Sequence, residues 1–203
     1  MSETNEKARI PSQKRSIETR RSIINSAMEL FSQKGFHNTN SKEIAAHAGV
    51  AIGSFYAYFE DKKQLFIEVL KCYNQQISER IHFDKNLELR DVDKFIYQLV
   101  DIILAAHDFK PGFHRELTTM RYSDQDVQLV MKELEDHQLD FTYKHLKAYE
   151  EVIKVKDLKT AAFIIFNTIQ SIAHEYKFSK PVIEEESLKK ELTDMIVNYL
   201  FKM

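Results

Sequence analysis

Four aromatic rings fall within five residues in GVAIGSFYAYFEDKKQL, residues 49–65: Phe55, Tyr56, Tyr58 and Phe59, followed by Asp61, Lys62 and Lys63. Phenols and ammonium groups donate hydrogen bonds, while aromatics on a short helix are core in most proteins. The stretch therefore asks which rings point inward and which offer donors outward. Catalytic chemistry finds less support. Eight histidines occur, but no HExxH, and no glycine-rich phosphate loop follows a strand. The tight His–acid groupings are HRE at 114–116 and HE at 174–175, and adjacent helix residues point about 100° apart, so neither converges on one site. A helical enzyme is the weakest reading. No metal or cofactor is expected.

Composition limits the elements that position these residues. Of 203 residues, four are glycine and three proline, too little punctuation for many turns or strands, so long helices are favoured. Cys72, the single cysteine, reads as a small buried hydrophobe. The N-terminus has no apolar signal core and no run approaches the roughly 18 residues needed to span a bilayer, so a cytoplasmic protein without membrane contact is expected. Net charge is −2, yet residues 1–42 carry eight Lys/Arg against four Glu, leaving an acidic remainder. A basic front end on an acidic body points to divided labour.

The apolar period predicts helices over 16–34, 40–47, 52–59, 61–81, 93–107, 113–122, 125–151, 158–177 and 187–201, hence an all-α chain of nine or ten helices. In the first, Ile17, Ile24, Met28 and Phe31 form one stripe, and Gly35 stands where a left-handed cap is needed. Asn40 and Glu43 have capping-box spacing. Asp61 can cap the fourth helix, and Pro111-Gly112 interrupts the period.

Between 41 and 58 a steric pattern appears. Two short helices crossing steeply need a small residue at the crossing, Ala45, and a turn residue tolerant of positive φ, Gly49. Ile44, Ala48, Val50 and Phe55 fall where the pair must bury side chains against the first helix. Here the chain resembles the TetR family of transcriptional regulators, through TRRSIINSAMELFSQKGFHNTNSKEIAAHAGVAIGSFYAYFEDKKQL, residues 19–65. The remaining helices agree with the family only in number and length.

The resemblance implies a flexible arm over 1–15, whose Lys7, Arg9, Lys14 and Arg15 could reach a minor groove. It implies a helix-turn-helix DNA-binding domain over 16–60 and a helical ligand-binding and dimerisation domain over 61–203. The helix holding IGSFYAYF would enter the major groove of a double-stranded operator. Phe55 and Phe59 would point inward, Tyr56 and Tyr58 outward to phosphates. Asn40 and Lys42 would touch the backbone or a base, Gly53 and Ser54 would allow close approach, and Lys62 would clamp a phosphate. Ala51 departs from the Ser or Thr common in the family, so a cap is missing; Ala51 and Ile52 could instead meet thymine methyls.

One such head reads too few base pairs, so a homodimer on an inverted repeat is expected, most simply as a repressor. Residues 161–173 are apolar on more than one face and would pair with 188–200 through Ile165, Ile169, Ile172, Leu188, Leu192, Met195 and Tyr199. On the same helix Asn167, Gln170, Ser171 and His174 form a polar stripe. It reads either as a hydrogen-bonded dimer seam or as one wall of a pocket completed by Phe113, Leu117, Met120 and Tyr143. In the second case a small, largely hydrophobic effector would shift helix 61–81 and mis-space the recognition helices. A ligand-independent helical scaffold or co-regulator that keeps the DNA-binding head is the remaining alternative.

Overall fold

The computed structural model describes residues 14–79, 92–108, 110–179 and 181–201. Lys7 and Arg9 of the expected arm, the expected helix end at Ile81 and most of the charged stretch before helix 93–107 lie outside them. Nine helices stand among the described residues: α1 (Lys14–Lys34), α2 (Ser41–His47), α3 (Ile52–Tyr58), α4 (Lys62–Ser78), α5 (Val92–Asp108), α6 (Pro111–Ser123), α7 (Gln125–Ala148), α8 (Leu158–Ser179) and α9 (Glu185–Leu200). The expected all-α fold is present, and each helix stands close to its expected bounds. The chain divides into two compact units, Met1–Gln76 with Lys110–Val130, and Ile77–Phe109 with Met131–Met203. The first unit thus takes in α6, although α6 follows α5 in the chain.

In the first unit α1 buries Ile23, Ile24, Ala27, Met28, Leu30 and Phe31. Ile17, expected on this stripe, is exposed, because the buried face begins only two turns into the helix. The Phe31, Phe36 and Phe66 rings meet at 5.3–5.7 Å in tilted and edge-on contacts, and Phe113 of α6 continues the stack onto Phe66 and Tyr73. Helix α6 opens at Pro111 after Lys110, the one non-glycine at positive φ among the described residues. Pro at a first helical position loses no hydrogen bond, so Pro111 starts this helix rather than merely ending the last. Gly112 then lies hard against α1: a methyl at its Cα would stand 2.9 Å from the Ser32 carbonyl carbon and closer still to its oxygen.

In the second unit α5 packs against α8 and α9 around Val100, Leu104, Ala161, Ile165, Ile169, Ala173, Leu192, Ile196 and Leu200. Lys154 N–H donates to the Leu200 carbonyl at 2.8 Å, and an isolated antiparallel bridge joins Ile153 to Phe201. Lys189 of α9 is buried but keeps its charge, because Asp101 of α5 at 2.7 Å and Glu186 at 2.8 Å hold its pKa above the usual lysine range. A buried ammonium needs such partners. Lys177 links α8 to Asp108 and Glu185 in the same way, at 2.7 and 2.8 Å.

Candidate nucleic-acid interface

The first unit builds a small two-helix face. Asn40 caps α2 as its spacing predicts, its side chain accepting the Glu43 N–H at 3.0 Å. The reciprocal half of the capping box is not made among these residues; the Glu43 carboxylate pairs with Lys34 of α1, which holds it below the usual carboxylate range. The α2–α3 turn is tight. Gly49 takes φ +70, Val50 N–H returns to the Ala45 carbonyl at 3.0 Å, and Ser22 of α1 donates to the Ala48 carbonyl at 3.1 Å. Ala45 and Ile44 are buried at the crossing, as required.

Helix α3 has one locked side and one open side. Phe55 and Phe59 are fully buried, and the Arg20 guanidinium lies 5.4 Å from the Phe59 ring centroid. Ala51, Ile52, Gly53 and Tyr56 are exposed, Tyr56 to 55%. Ala51 caps the helix without a side-chain hydrogen bond, as its residue type dictates. A Cβ on Gly53 would meet no atom within 4 Å, so that glycine leaves open space rather than relieving a clash inside the protein. Ser54 is half-buried. Tyr58, expected to point outward, is half-buried and shares a 2.8 Å hydrogen bond with Ser16 of α1, so its hydroxyl already braces the start of α1. Asn40 and Lys42 are exposed beside the turn.

Lys62, expected to clamp a phosphate, also has partners inside the protein. Its ammonium donates to the Phe36 and Thr39 carbonyls, both at 2.6 Å, and stands 4.1 Å from the Phe36 ring centroid. Burial holds its pKa below the ordinary lysine value, with the Glu116 carboxylate opposing that shift. Glu116 of α6 also accepts the Phe36 N–H. The sequence offered no signal for this partner, which lies 80 residues away.

The residues assigned to an effector are divided between the two units. Phe113, Leu117 and Met120 are buried in the first unit. Tyr143 and the stripe belong to the second, where Asn167 and Ser171 are exposed, Gln170 and His174 half-buried, and Asn167 donates to the Phe163 carbonyl at 2.8 Å. Of the expected interface residues, Ile165, Ile169 and Leu192 are buried in the second unit's own core. Ile172, Leu188 and Tyr199 are half-buried. The apolar side chains those two helices turn outward are Phe163 (56% exposed), Ile164 (44%) and Met195 (49%). A helix apolar on most sides shows no inner face in its sequence alone. A groove of about 490 Å³ lies between α5 and α9, lined by Asp93, Tyr97, Lys190 and Thr193 among others, and none of the expected effector residues lines it. Among the described residues no cluster of three or more His, Cys, Asp or Glu could hold a metal, and no helix is long and apolar enough to cross a membrane.

Comparison with known proteins agrees with this geometry. Residues 23–69 match the model for bacterial regulatory proteins of the tetR family, and residues 91–200 that for a tetracyclin repressor-like C-terminal domain. An uncharacterized HTH-type transcriptional regulator, YdgC of Bacillus subtilis, is 24% identical over 191 residues, 89% of this chain and 92% of its own. The HTH-type transcriptional regulator AcrR of Shigella flexneri is 44% identical over 62 residues, 30% of this chain and 29% of its own. In three dimensions a transcriptional regulator from Saccharomonospora viridis, solved in complex with choline, superposes with TM-score 0.73 at 17% identity, over 92% of this chain and all of that one.

Proposed function

Because the chain belongs to the tetR family of bacterial regulatory proteins, a family of helix-turn-helix DNA-binding transcription regulators and not enzymes, we propose that it acts as a homodimeric repressor whose paired α3 helices read an inverted repeat and which a small effector releases. The observation that carries the reading is the division of α3: Phe55 and Phe59 fix its orientation while Ala51, Ile52, Gly53 and Tyr56 stay open to a major groove. On this reading Tyr56, Lys42 and Asn40 contact the duplex, and binding weakens steeply with salt because phosphate contacts release counterions.

Tyr56→Phe tests it. Loss of one hydroxyl contact is expected to weaken binding to a duplex selected from a random library by about fivefold, with unchanged melting of the free protein. Wild-type affinity in this variant would remove Tyr56 from the interface.

The dimer surface we favour runs through Phe163, Ile164 and Met195, flanked by Asn167, Ser171, Leu188 and Tyr199, since clustered exposed apolar side chains mark association sites. Phe163→Asp with Met195→Asp is expected to give a folded monomer by light scattering, with helical circular dichroism retained. A dimer of wild-type mass would place the interface elsewhere. For the effector we favour a small, largely hydrophobic molecule with a hydrogen-bonding group. Half-buried Tyr143, Gln170 and His174 supply polar handles beside an apolar core, and the Saccharomonospora viridis neighbour holds a small organic molecule, choline.

A further inference from the structure

One polar atom inside the second unit is left over. Where α5 meets α9, the Tyr97 hydroxyl donates to the Glu186 carboxylate, which also accepts from the Lys189 ammonium at 2.8 Å. Asp101 takes the same ammonium at 2.7 Å, so this network closes on itself. Thr193 stands one helical turn beyond Lys189 and is 4% exposed. Its hydroxyl is the one buried side-chain polar atom without a hydrogen-bond partner among the described residues. An unpaired buried hydroxyl is destabilising, so its place in the structure needs a reason. Thr193 lines the groove of about 490 Å³ between the two helices.

Tyr97 gives the groove an aromatic wall, held by its bond to Glu186 and by the Lys189 ammonium 6.0 Å from its ring centroid. Asp93 and Lys94 of α5 and Lys190 and Asp194 of α9 supply two carboxylates and two ammonium groups to the lining. Such a lining has no net charge. A ligand of one sign loses against the like charges about what it gains from the others, whereas a molecule carrying both signs gains from both. Lys190 and Asp194 bracket Thr193 on α9, and neither is in an ion pair among the described residues. At 100° per residue these three lie on one flank of the buried stripe of α9, and Leu188, Met195 and Tyr199 on the other, so the dimer surface favoured above does not cover them. We propose that this groove binds a free α-amino acid with an apolar side chain. The ligand carboxylate meets Lys190 and accepts from the Thr193 hydroxyl, its ammonium meets Asp194, and its side chain lies against the Tyr97 ring. The site is separate from Tyr143, Gln170 and His174, none of which lines it, and it requires no DNA.

Isothermal titration calorimetry on the full chain tests the proposal. The probes are L-phenylalanine and L-leucine, each beside its two half-molecules: phenethylamine and 3-phenylpropionate, isopentylamine and 4-methylpentanoate. At least one amino acid is expected to bind with a dissociation constant on the order of 100 µM, and both of its half-molecules about tenfold more weakly or worse. Thr193→Val keeps the shape and removes the hydroxyl. It should weaken the amino acid about tenfold, while the ligand-free protein melts at the wild-type temperature or above it, because an unpaired hydroxyl has been replaced by a methyl. Asp194→Asn should weaken the amino acid about fivefold or more without weakening its acid half-molecule, and Lys190→Gln should do so without weakening its amine half-molecule. Four results would overturn the proposal. Neither amino acid binds more tightly than about 5 mM. A half-molecule binds as tightly as the whole, so the site reads one charge and not two. The three variants bind like the wild type, which places the ligand elsewhere. Ligand-free Thr193→Val melts below the wild type, which shows that the hydroxyl already has a partner.

Discussion

Gly112→Ala is expected to unseat α6 from α1 and to lower the melting temperature by about 10 °C. A methyl at this position would press into the Ser32 carbonyl, a backbone group of α1 that cannot swing aside as a flexible side chain can. Overpacking of this kind costs about 3 kcal/mol, and in a chain of this size that corresponds to a shift of this order. The hydrogen bond from the Phe36 N–H to Glu116 should weaken in the same variant, since Glu116 lies one helical turn from Gly112 on the same face of α6. Gly53→Ala is the matched control. Nothing lies within 4 Å of its Cβ position and it sits in a helix, so alanine there should leave melting unchanged or raise stability by up to about 1 kcal/mol. Differential scanning calorimetry on the two variants checks both halves. If Gly112→Ala melts like the wild type, α6 does not pack on α1 as described.

Ile169→Asp should cost the second unit its fold. The side chain is 2% exposed and sits among Ile165, Ala173 and Leu192, apolar side chains that give a carboxylate no hydrogen-bond donor. An unpaired buried charge of this kind costs about 4 kcal/mol or more, against about 1 kcal/mol for Ile169→Val, which only trims a methyl. The aspartate variant should be insoluble or show a broad loss of helical circular dichroism, whereas the valine variant should remain folded with slightly lower melting. A soluble, fully helical Ile169→Asp protein would place this residue outside the core. The contrast with Phe163→Asp separates the two faces of α8, because the outward face is expected to lose its partner without losing its fold.

The residues that reason locally were legible in the sequence. Asn40 caps because its side chain reaches an amide three residues on, and Ala51 fails to cap because it has no oxygen; both follow from residue type. Gly49 and Ala45 were readable for the same reason, as was the burial of Phe55 and Phe59. What escaped depends on contacts far apart in the chain. Gly112 read as punctuation, because nothing near it in sequence reveals that Ser32 stands against it. Lys62 read as a phosphate clamp through the resemblance alone, because its carbonyl partners at 36 and 39 and the nearby Glu116 carboxylate are set by packing. Ile165, Ile169 and Leu192 were assigned to a partner because a helix apolar nearly all round has no visible inward side until its neighbours are placed. Tyr58 failed more subtly: its helical position does lean outward, but Ser16 lies close enough to claim its hydroxyl.

On the proposed function, the open side of α3, with the turn before it, reads an inverted repeat in DNA. Selection of duplexes from a random library by the purified protein, followed by hydroxyl-radical footprinting on the enriched sequence, tests it most directly. An enriched inverted repeat is expected, with two protected patches whose centres lie about one helical turn, 34–36 Å, or a multiple of it apart. Both patches are expected to disappear in the folded Lys42→Ala, Tyr56→Ala double variant. An enriched sequence that the double variant protects as well as the wild type does, or no enrichment at all, would contradict it.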